Sequence, residues 1–267
     1  MPADVELQTA VAGDDDATIA EVSSWIRDAS AVTVLTGAGI STESGIPDFR
    51  GPQGLWTRDP GLRQMSDLQA YLADPLLRAR VWRNRREHAA WSAEPNEGHR
   101  ALVDLERAGR LLALVTQNID GLHQRAGNCQ QRVIELHGTL REVECLSCRR
   151  RRPTAEILDR VDAGEADPPC TACGGILKTA AVSFGQALDP AVLAAARDAV
   201  VEADLFVAAG TSLTVQPAAS LAGLAADHGT RLVILNAEPT PYDELAGAVL
   251  RRPLVRLLPL LFLGLRP

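Results

Sequence analysis

Two Cys-x2-Cys pairs, Cys145/Cys148 and Cys170/Cys173, stand 21 residues apart in a chain of 267 residues. Four thiolates at this spacing close a tetrahedral shell around a zinc ion and leave no position for water, so the metal chemistry they point to is structural. Disulfides are the rival use of the same sulfurs, but a reducing compartment would keep them as thiols. Gly174-Gly175, directly after the second pair, suits the tight turn of a metal knuckle. Cys129 is left over and is expected to be a free thiol.

A second set of residues has the types needed to hold a sugar and a phosphate. Gly37-Ala38-Gly39-Ile40-Ser41-Thr42 follows the apolar run 31–35, and glycines after a strand can take φ > 0 and let backbone N–H groups approach a pyrophosphate. The segment departs from the usual dinucleotide fingerprint. Thr42 stands where a third glycine is expected, and no strand ending in Asp or Glu follows about twenty residues on. Alone, Gly-x-Gly fits a plain strand-to-helix turn equally well.

Further polar residues lie where later strand-like runs end. Gln117-Asn118-Ile119-Asp120 follows 111–116, His137-Gly138 follows 133–136, Gly210-Thr211-Ser212 follows 204–209, and Asn236 follows 231–235. Ligands of open parallel sheets bind beyond the carboxyl ends of the strands. An imidazole there is near-neutral in pKa, although a lone histidine is more often structural. The neighbouring amides and carboxylate can orient a ribose and a carboxamide; the alternative is a set of polar turns.

Such a site needs a sheet to carry it, and the pattern of the chain predicts one. Helical runs at 97–109, 190–202 and 217–228 alternate with strands at 111–116, 132–136, 180–184, 204–209 and 231–235, which argues an α/β fold: a parallel sheet with helices on both faces. Residues 1–15 are polar, acidic and aperiodic, and predict a flexible extension. Asp14, Asp15 and Asp16 offer an N-cap to a helix whose apolar positions are Ile19, Val22, Trp25 and Ile26. Residues 51–96 read as a helical insertion and 139–178 as a zinc-binding insertion, together forming a small domain beside the sheet residues 16–50, 97–138 and 179–267. The apolar tail 254–264 predicts a terminal helix packed on the sheet, part of which offers a self-association surface. It carries Arg256 and Pro259 and is too short to span a bilayer.

Composition bounds the function. At 46% hydrophobic and 23% charged the chain can bury a full core. A net charge of -7 and a pI near 5.3 oppose nucleic-acid binding by the whole surface. Arg149-Arg150-Arg151-Arg152 is the local exception, either a solvated face or a dock for an acidic peptide. Lys178 is the only lysine, which leaves Schiff-base chemistry and a Walker-type phosphate lysine almost without candidates. The acidic start shows no apolar run behind a basic patch, so a cytoplasmic location is expected.

Taken in order, residues 37–41, Gly45-Ile46-Pro47-Asp48-Phe49-Arg50, Gln117-Asn118-Ile119-Asp120, His137-Gly138, the two cysteine pairs, Phe184-Gly185 and Gly210-Thr211-Ser212 make the chain resemble the sirtuin family of NAD-dependent protein deacylases, from about residue 33 to 259. The resemblance implies a Rossmann-like NAD-binding domain and one structural zinc on Cys145, Cys148, Cys170 and Cys173. It implies His137 as general base, with Asn118 and Asp120 in the catalytic set. NAD would be held by Gly37, Ala38, Gly39, Ser41, Thr42, Asp48, Phe49, Arg50, Gln117, Asn118, Ile119, Asp120, Gly210, Thr211, Ser212, Asn236 and Glu238. Val182, Phe184 and Gly185 would meet an acyl-lysine protein or peptide. The implied reaction joins the acyl oxygen to C1′ of the nicotinamide ribose, expels nicotinamide, and ends in free lysine and 2′-O-acyl-ADP-ribose, with Phe49 shielding C1′.

Two other functions use the same residues: a protein ADP-ribosyltransferase, and a non-catalytic NAD- and zinc-dependent binding protein, which the intact His137, Asn118 and Asp120 disfavour. Neither nucleic acid nor membrane is an expected partner, and the sequence leaves the oligomeric state open. Three departures from the family bear on substrate. Gln186 follows Phe184-Gly185 where Glu is usual, and Lys178-Thr179 stands where a basic residue and proline are common. Trp82-Arg83-Asn84-Arg85 is the nearest approach to the Tyr-x-x-Arg of members that prefer acidic acyl groups, and it reads equally as a solvated Arg-rich helix.

Overall fold

The computed structural model describes residues 3–49, 51, 54–59 and 64–265, with residues 3–15 and Trp56 as backbone alone. Along the chain run α1 (Ala3–Asp28), β1 (Val32–Thr36), α2 (Leu55–Arg58), α3 (Leu68–Ala73), α4 (Pro75–Arg86), α5 (Glu97–Arg107), β2 (Leu111–Thr116), α6 (Leu122–Ala126) and β3 (Val133–Glu135). Then follow β4 (Glu142–Cys145), β5 (Arg151–Pro153), α7 (Thr154–Asp162), β6 (Leu177–Thr179), α8 (Pro190–Val201), β7 (Leu205–Ala209), α9 (Ser220–Asp227), β8 (Arg231–Leu235), β9 (Ala248–Leu250) and α10 (Leu254–Leu261).

Strands buried on both faces need apolar residues at every position rather than at alternate ones. β7 meets that demand, and β1 is likewise buried from end to end with its two threonines hydrogen-bonded, Thr33 Oγ1 to Ala199 O and Thr36 Oγ1 to Thr116 Oγ1; the two lie at the centre of a six-stranded sheet of order β3-β2-β1-β7-β8-β9. Every pairing in it is parallel. The pleat sends alternate residues to opposite faces. Val32, Val34, Leu205 and Val207 share one core with α1, α5 and α10, while Leu35, Phe206 and Ala208 share the other with α8 and α9. The expected three-layer α/β fold is therefore present, with helices on both faces.

The two insertions build a separate unit. An antiparallel sheet of order β5-β4-β6 packs with α7, and Trp82 of α4 is buried in one cluster with Val143, Cys145, Ile157, Leu158, Cys170 and Leu177. A second cluster joins Tyr71, Leu77 and Val81. α3 and α4 are separated by Asp74 alone; Pro75 opens α4 and the Asp74 carboxylate accepts the Leu76 N–H at 2.8 Å.

Some expectations require correction. The first helix begins at Ala3, so Asp14, Asp15 and Asp16 lie inside it rather than at its cap. The segment 180–184 is no strand of the parallel sheet; its backbone bonds instead to His137 and Ser66, with an isolated parallel bridge between Asp67 and Phe184. α10 has the expected place, with Leu254, Leu257, Leu258 and Leu261 buried in the core it shares with α1 and α5. No helix of the described residues is long and apolar enough to cross a membrane.

Candidate active site

The strand order reverses between β1 and β7, and the turns that follow these two strands meet there. Gly37 N–H donates to Ala209 O at 3.1 Å and Gly39 N–H to Gly210 O at 2.9 Å. A Cβ on Gly37 would lie 2.6 Å from Gly210 O, and one on Gly39 2.8 Å from Gly210 Cα. Close backbone approach is thus why residues 37 and 39 are glycine, and Gly37 itself is extended at φ -128°. The left-handed glycines of these turns are Gly210 (φ 66°) and Gly45 (φ 82°). After Gly37 the chain forms two short 3-10 turns, Ala38–Ile40 and Thr42–Ser44, with the Thr42 hydroxyl donating to Gly39 O at 3.1 Å. Such a crevice at a topological switch point suits a dinucleotide.

Behind this turn lies a buried polar network. Ser41 Oγ donates to Asp120 Oδ2 at 2.8 Å and accepts from Asn118 Nδ2 at 3.3 Å, while Asn118 Nδ2 also donates to Gly37 O at 3.0 Å. Asp120 Oδ1 accepts the Leu122 N–H at 2.9 Å. Burial raises the Asp120 pKa, and the bonds from Leu122 and Ser41 together with the Arg141 charge oppose that rise. Gln117 Nε2 donates to Thr211 Oγ1 at 2.8 Å, joining the end of β2 to that of β7.

His137 stands at the end of β3 with Nδ1 at 2.9 Å from Gln117 O. A carbonyl can only accept, so Nδ1 carries the proton and Nε2 is the basic nitrogen. Burial holds its pKa below 6.5, with the Gln117 carbonyl opposing. The next residue is Gly138, at φ 68°, where a Cβ would come within 2.1 Å of Ala180 O. That contact lays 180–184 across the end of the strand, and Val182 N–H donates to His137 O at 2.8 Å. His137 and Val182, distant in sequence, are brought together; Phe184 is half-buried and Gly185 exposed beyond them.

At the far end of the crevice Asn236 Nδ2 donates to Glu238 O at 2.8 Å, and Arg251 Nη1 donates to both Asn236 O and Glu238 O. Arg251, anchored also on Asp243, fixes this loop and was not anticipated from sequence. Ser212 Oγ lies 2.9 Å from Thr214 Oγ1. Asp48 accepts the Gly51 N–H at 3.1 Å and Phe49 is exposed. Arg50 lies outside the described residues.

The four cysteine sulfurs all lie within 4.8 Å of one another. Cys145 and Cys170 are buried, Cys148 and Cys173 exposed. Backbone N–H groups of Cys148 and Ser147 point at the Cys145 sulfur and hold its thiol down to about 6, as a thiolate ligand requires. Four sulfurs of soft donor character at this separation are positioned to hold a zinc ion. The neighbouring arginines mostly face their own module: Arg149 and Arg151 pair with Glu144, Arg151 also with Glu142, and Arg152 with Glu156.

Between the insertions, Met65, Tyr71, Val81, Trp82, Arg85, Lys178, Thr179 and Ser183 line a small pocket. Arg85 is therefore not on a solvated helix face; that face is held by Arg80, Arg83 and Arg86. Arg85 Nε and Trp82 Nε1 are buried without a hydrogen-bond partner. The Tyr71 hydroxyl is committed to Leu177 O at 2.6 Å. Lys178 donates to the carbonyls of Thr179 and Ala181, and burial, with Arg85 nearby, lowers its pKa to about 8.

Sequence reading missed the histidines behind the crevice. His99 closes a capping box with Asn96 at the start of α5, its Nε2 lies 3.5 Å from Ser41 Oγ, and its ring is 5.0 Å from that of His123. The Asn-x-x-His spacing before an apolar periodic run was the available signal. Burial foremost, then Arg100, lowers the His99 pKa to about 4, and His123 is lowered well below 6.5 by burial and His99. Both bind protons more readily when unfolded, so stability rises with pH between the folded and unfolded values and is lost as pH falls from about 6.5 toward 4. Lowering the pH from 7.5 to 5.5 is expected to cost roughly 1 to 1.5 kcal/mol through His99, with a loss of the same sign through His123. Melting temperatures at the two pH values, with zinc content followed in parallel, test this; no greater loss in the native protein than in His99→Gln would remove His99 from the account.

Residues 37–217 match the model of the Sir2 family. The NAD-dependent protein deacetylase 2 of Streptomyces coelicolor is 55% identical over 234 residues, covering 88% of this chain and 97% of that protein. A solved Sir2 structure with a deacetylated p53 peptide and 3′-O-acetyl ADP ribose superposes with a TM-score of 0.83 at 33% identity, covering 91% of this chain and 96% of that one. Another, Sir2 with p53 peptide and NAD+, gives 0.78 at 33% identity over 88% and 93%.

Proposed function

The chain belongs to the Sir2 family, and from that premise we infer that it is an NAD-dependent protein-lysine deacylase, transferring the acyl group of a lysine side chain to ADP-ribose with release of nicotinamide. The observation that carries this reading is that the Gly37–Gly39 turn at the strand-order reversal is bonded to the Ser41–Asn118–Asp120 network, and that the adjoining Gln117 fixes the His137 tautomer. NAD supplies a ribose carbon from which nicotinamide departs. The protein's share is to bind, orient and move a proton. Glycine backbone and the hydroxyls of Thr42, Thr211 and Ser212 take the diphosphate and nearby ribose; Asn118, Asp120 and Gln117 orient the nicotinamide ribose and its carboxamide. Phe49 keeps water off the reacting face, and Asn236, with Glu238, takes the adenosine ribose. His137 accepts a ribose hydroxyl proton at Nε2.

The acyl-lysine segment docks beside Val182, Phe184 and Gly185. Residues 16–50, 97–138 and 179–267 act as the NAD-binding domain, with 51–96 and 139–178 as the insertions that flank the peptide. A reducing, cytoplasmic setting agrees with four sulfurs kept as zinc thiolates. Incubating the protein with NAD and a panel of acyl-lysine peptides, and identifying every product by mass spectrometry, tests the reading. Deacylated peptide with matching 2′-O-acyl-ADP-ribose is expected; ADP-ribosylated protein without peptide deacylation would establish the transferase instead.

Acyl choice follows from the pocket between the insertions. Arg85 gives it a cation, yet the fully buried Trp82 offers no phenolic hydroxyl and that of Tyr71 is already bonded. Apolar acyl groups are therefore expected to be accepted and succinyl to be a minority substrate. A charge-assisted contact from Arg85 is worth roughly 1.5 to 3 kcal/mol, so Arg85→Met should lower succinyl kcat/KM about tenfold or more and leave acetyl nearly unchanged. A strong succinyl preference in the native enzyme, abolished by Arg85→Met, would overturn this ordering.

A further inference from the structure

We propose that Arg141 is a positioning residue for Asp120, through which the two insertions hold the NAD pocket in register. It rests on Asp120 lying in that pocket. Arg141 comes four residues after His137, where the chain leaves the parallel sheet for the zinc-binding insertion. Its own carbonyl accepts the Thr154 N–H at 2.9 Å, which fixes its backbone to the insertion. The side chain turns the other way. Nη2 donates to Asp120 O at 3.1 Å and lies 3.4 Å from Ala90 O, while the guanidinium carbon sits 5.1 Å from the centre of the Trp91 ring. Trp91 in turn donates its indole N–H to Arg85 O at 2.5 Å, at the end of α4. One planar cation thus joins the end of the helical insertion, the root of the zinc-binding insertion and the backbone of Asp120.

The geometry at Asp120 explains why that backbone matters. Its carboxylate is aimed by two bonds of fixed origin, from Ser41 Oγ and from Leu122 N–H, so its direction depends on the path of the chain from 119 to 122. Leu140 N–H holds Ile119 O at 2.9 Å and Arg141 holds the next carbonyl. Gly121 follows at φ 72°, and a Cβ there would stand 3.2 Å from Arg141 Nε. Guanidinium and glycine share one space, and the side chain lies against the left-handed turn that starts α6. A lysine at 141 would keep the charge but could neither present a planar fork of donors nor stack its head group flat on Trp91.

Small displacements of a positioning group can cost large factors in rate or binding. Arg141→Met is expected to raise KM for NAD roughly tenfold, while zinc stays at one per chain and KM for the acyl peptide changes by less than about twofold; Arg141→Lys should fall between. Should Arg141→Met yield no folded protein, Trp91→Leu, which removes the stacking surface and leaves the arginine, should show the same split at smaller size. Native KM and kcat in Arg141→Met, or an equal rise in both KM values, would overturn the proposal. Asp120→Ala separates this failure from that of its premise. If Asp120→Ala binds and turns over NAD normally, the pocket assignment falls; if only Asp120→Ala is impaired, Arg141 alone loses its role.

Discussion

His137→Ala is expected to fold, to bind NAD and to lose deacylation by about 10² to 10⁴-fold, the usual range for a missing general base. The loss should fall on kcat with acyl peptide. His137 is half-buried at the mouth of the crevice and belongs to neither apolar core, so truncating it opens no core cavity. The one hydrogen bond given up is Nδ1–H to Gln117 O, a part-buried contact worth about 1 kcal/mol. The first step, departure of nicotinamide, does not require the imidazole in this scheme, so exchange of labelled nicotinamide into NAD should survive better than product formation. Because burial lowers the His137 pKa, its neutral form persists at neutral pH, and the acidic limb of kcat/KM should have its midpoint below 6.5. Near-native turnover by His137→Ala would take the base role from this residue, and an acidic midpoint above 6.5 would contradict the burial argument.

What sequence could and could not reveal divides along physical lines. The strands were legible because burial on both faces favours runs that are apolar, as Leu205–Ala209, or apolar and β-branched, as Val32–Thr36. Polar residues at their ends then marked one rim of the sheet. The cysteines were legible because four ligands at knuckle spacing have few other uses. The Asn96-x-x-His99 spacing signalled a capping box, but the contact of His99 with Ser41 and that of Arg141 with Asp120 span 58 and 21 residues, and no local pattern encodes them. Segment 180–184 was misread for a related reason. Its apolar residues look like a strand, but Gly138, Ser66 and Asp67 take its backbone out of the sheet. The opening helix was shortened because three aspartates resemble a cap wherever they stand. Gly37 and Gly39 were found for the right turn and the wrong reason, since crowding against Gly210, not positive φ, excludes a side chain.

Cys145→Ala and Cys170→Ala are expected to release zinc and unfold the insertions while leaving the six-stranded sheet folded. Three remaining ligands cannot close a structural site, and its apparent binding energy is roughly 10 to 16 kcal/mol in zinc-finger peptides. That matches or exceeds the about 5 to 15 kcal/mol that holds a typical domain together. Both sulfurs are also buried members of the cluster around Trp82, so the helical insertion should be lost with the zinc-binding one. The two cores of the parallel sheet, in contrast, contain no described residue from 51–96 or 139–178, and the sheet has its own reasons to stay folded. Two transitions should therefore replace one in thermal or urea unfolding, the earlier shifted by chelator and the later not. Activity should vanish with the first, because Lys178 and Thr179 of β6 lead directly into the 180–184 segment beside His137. Metal analysis, near-ultraviolet circular dichroism and calorimetry on the two variants measure these separately. One zinc per chain retained in both would assign the metal to other ligands, and a single unshifted transition after zinc removal would show that the insertions stand without it.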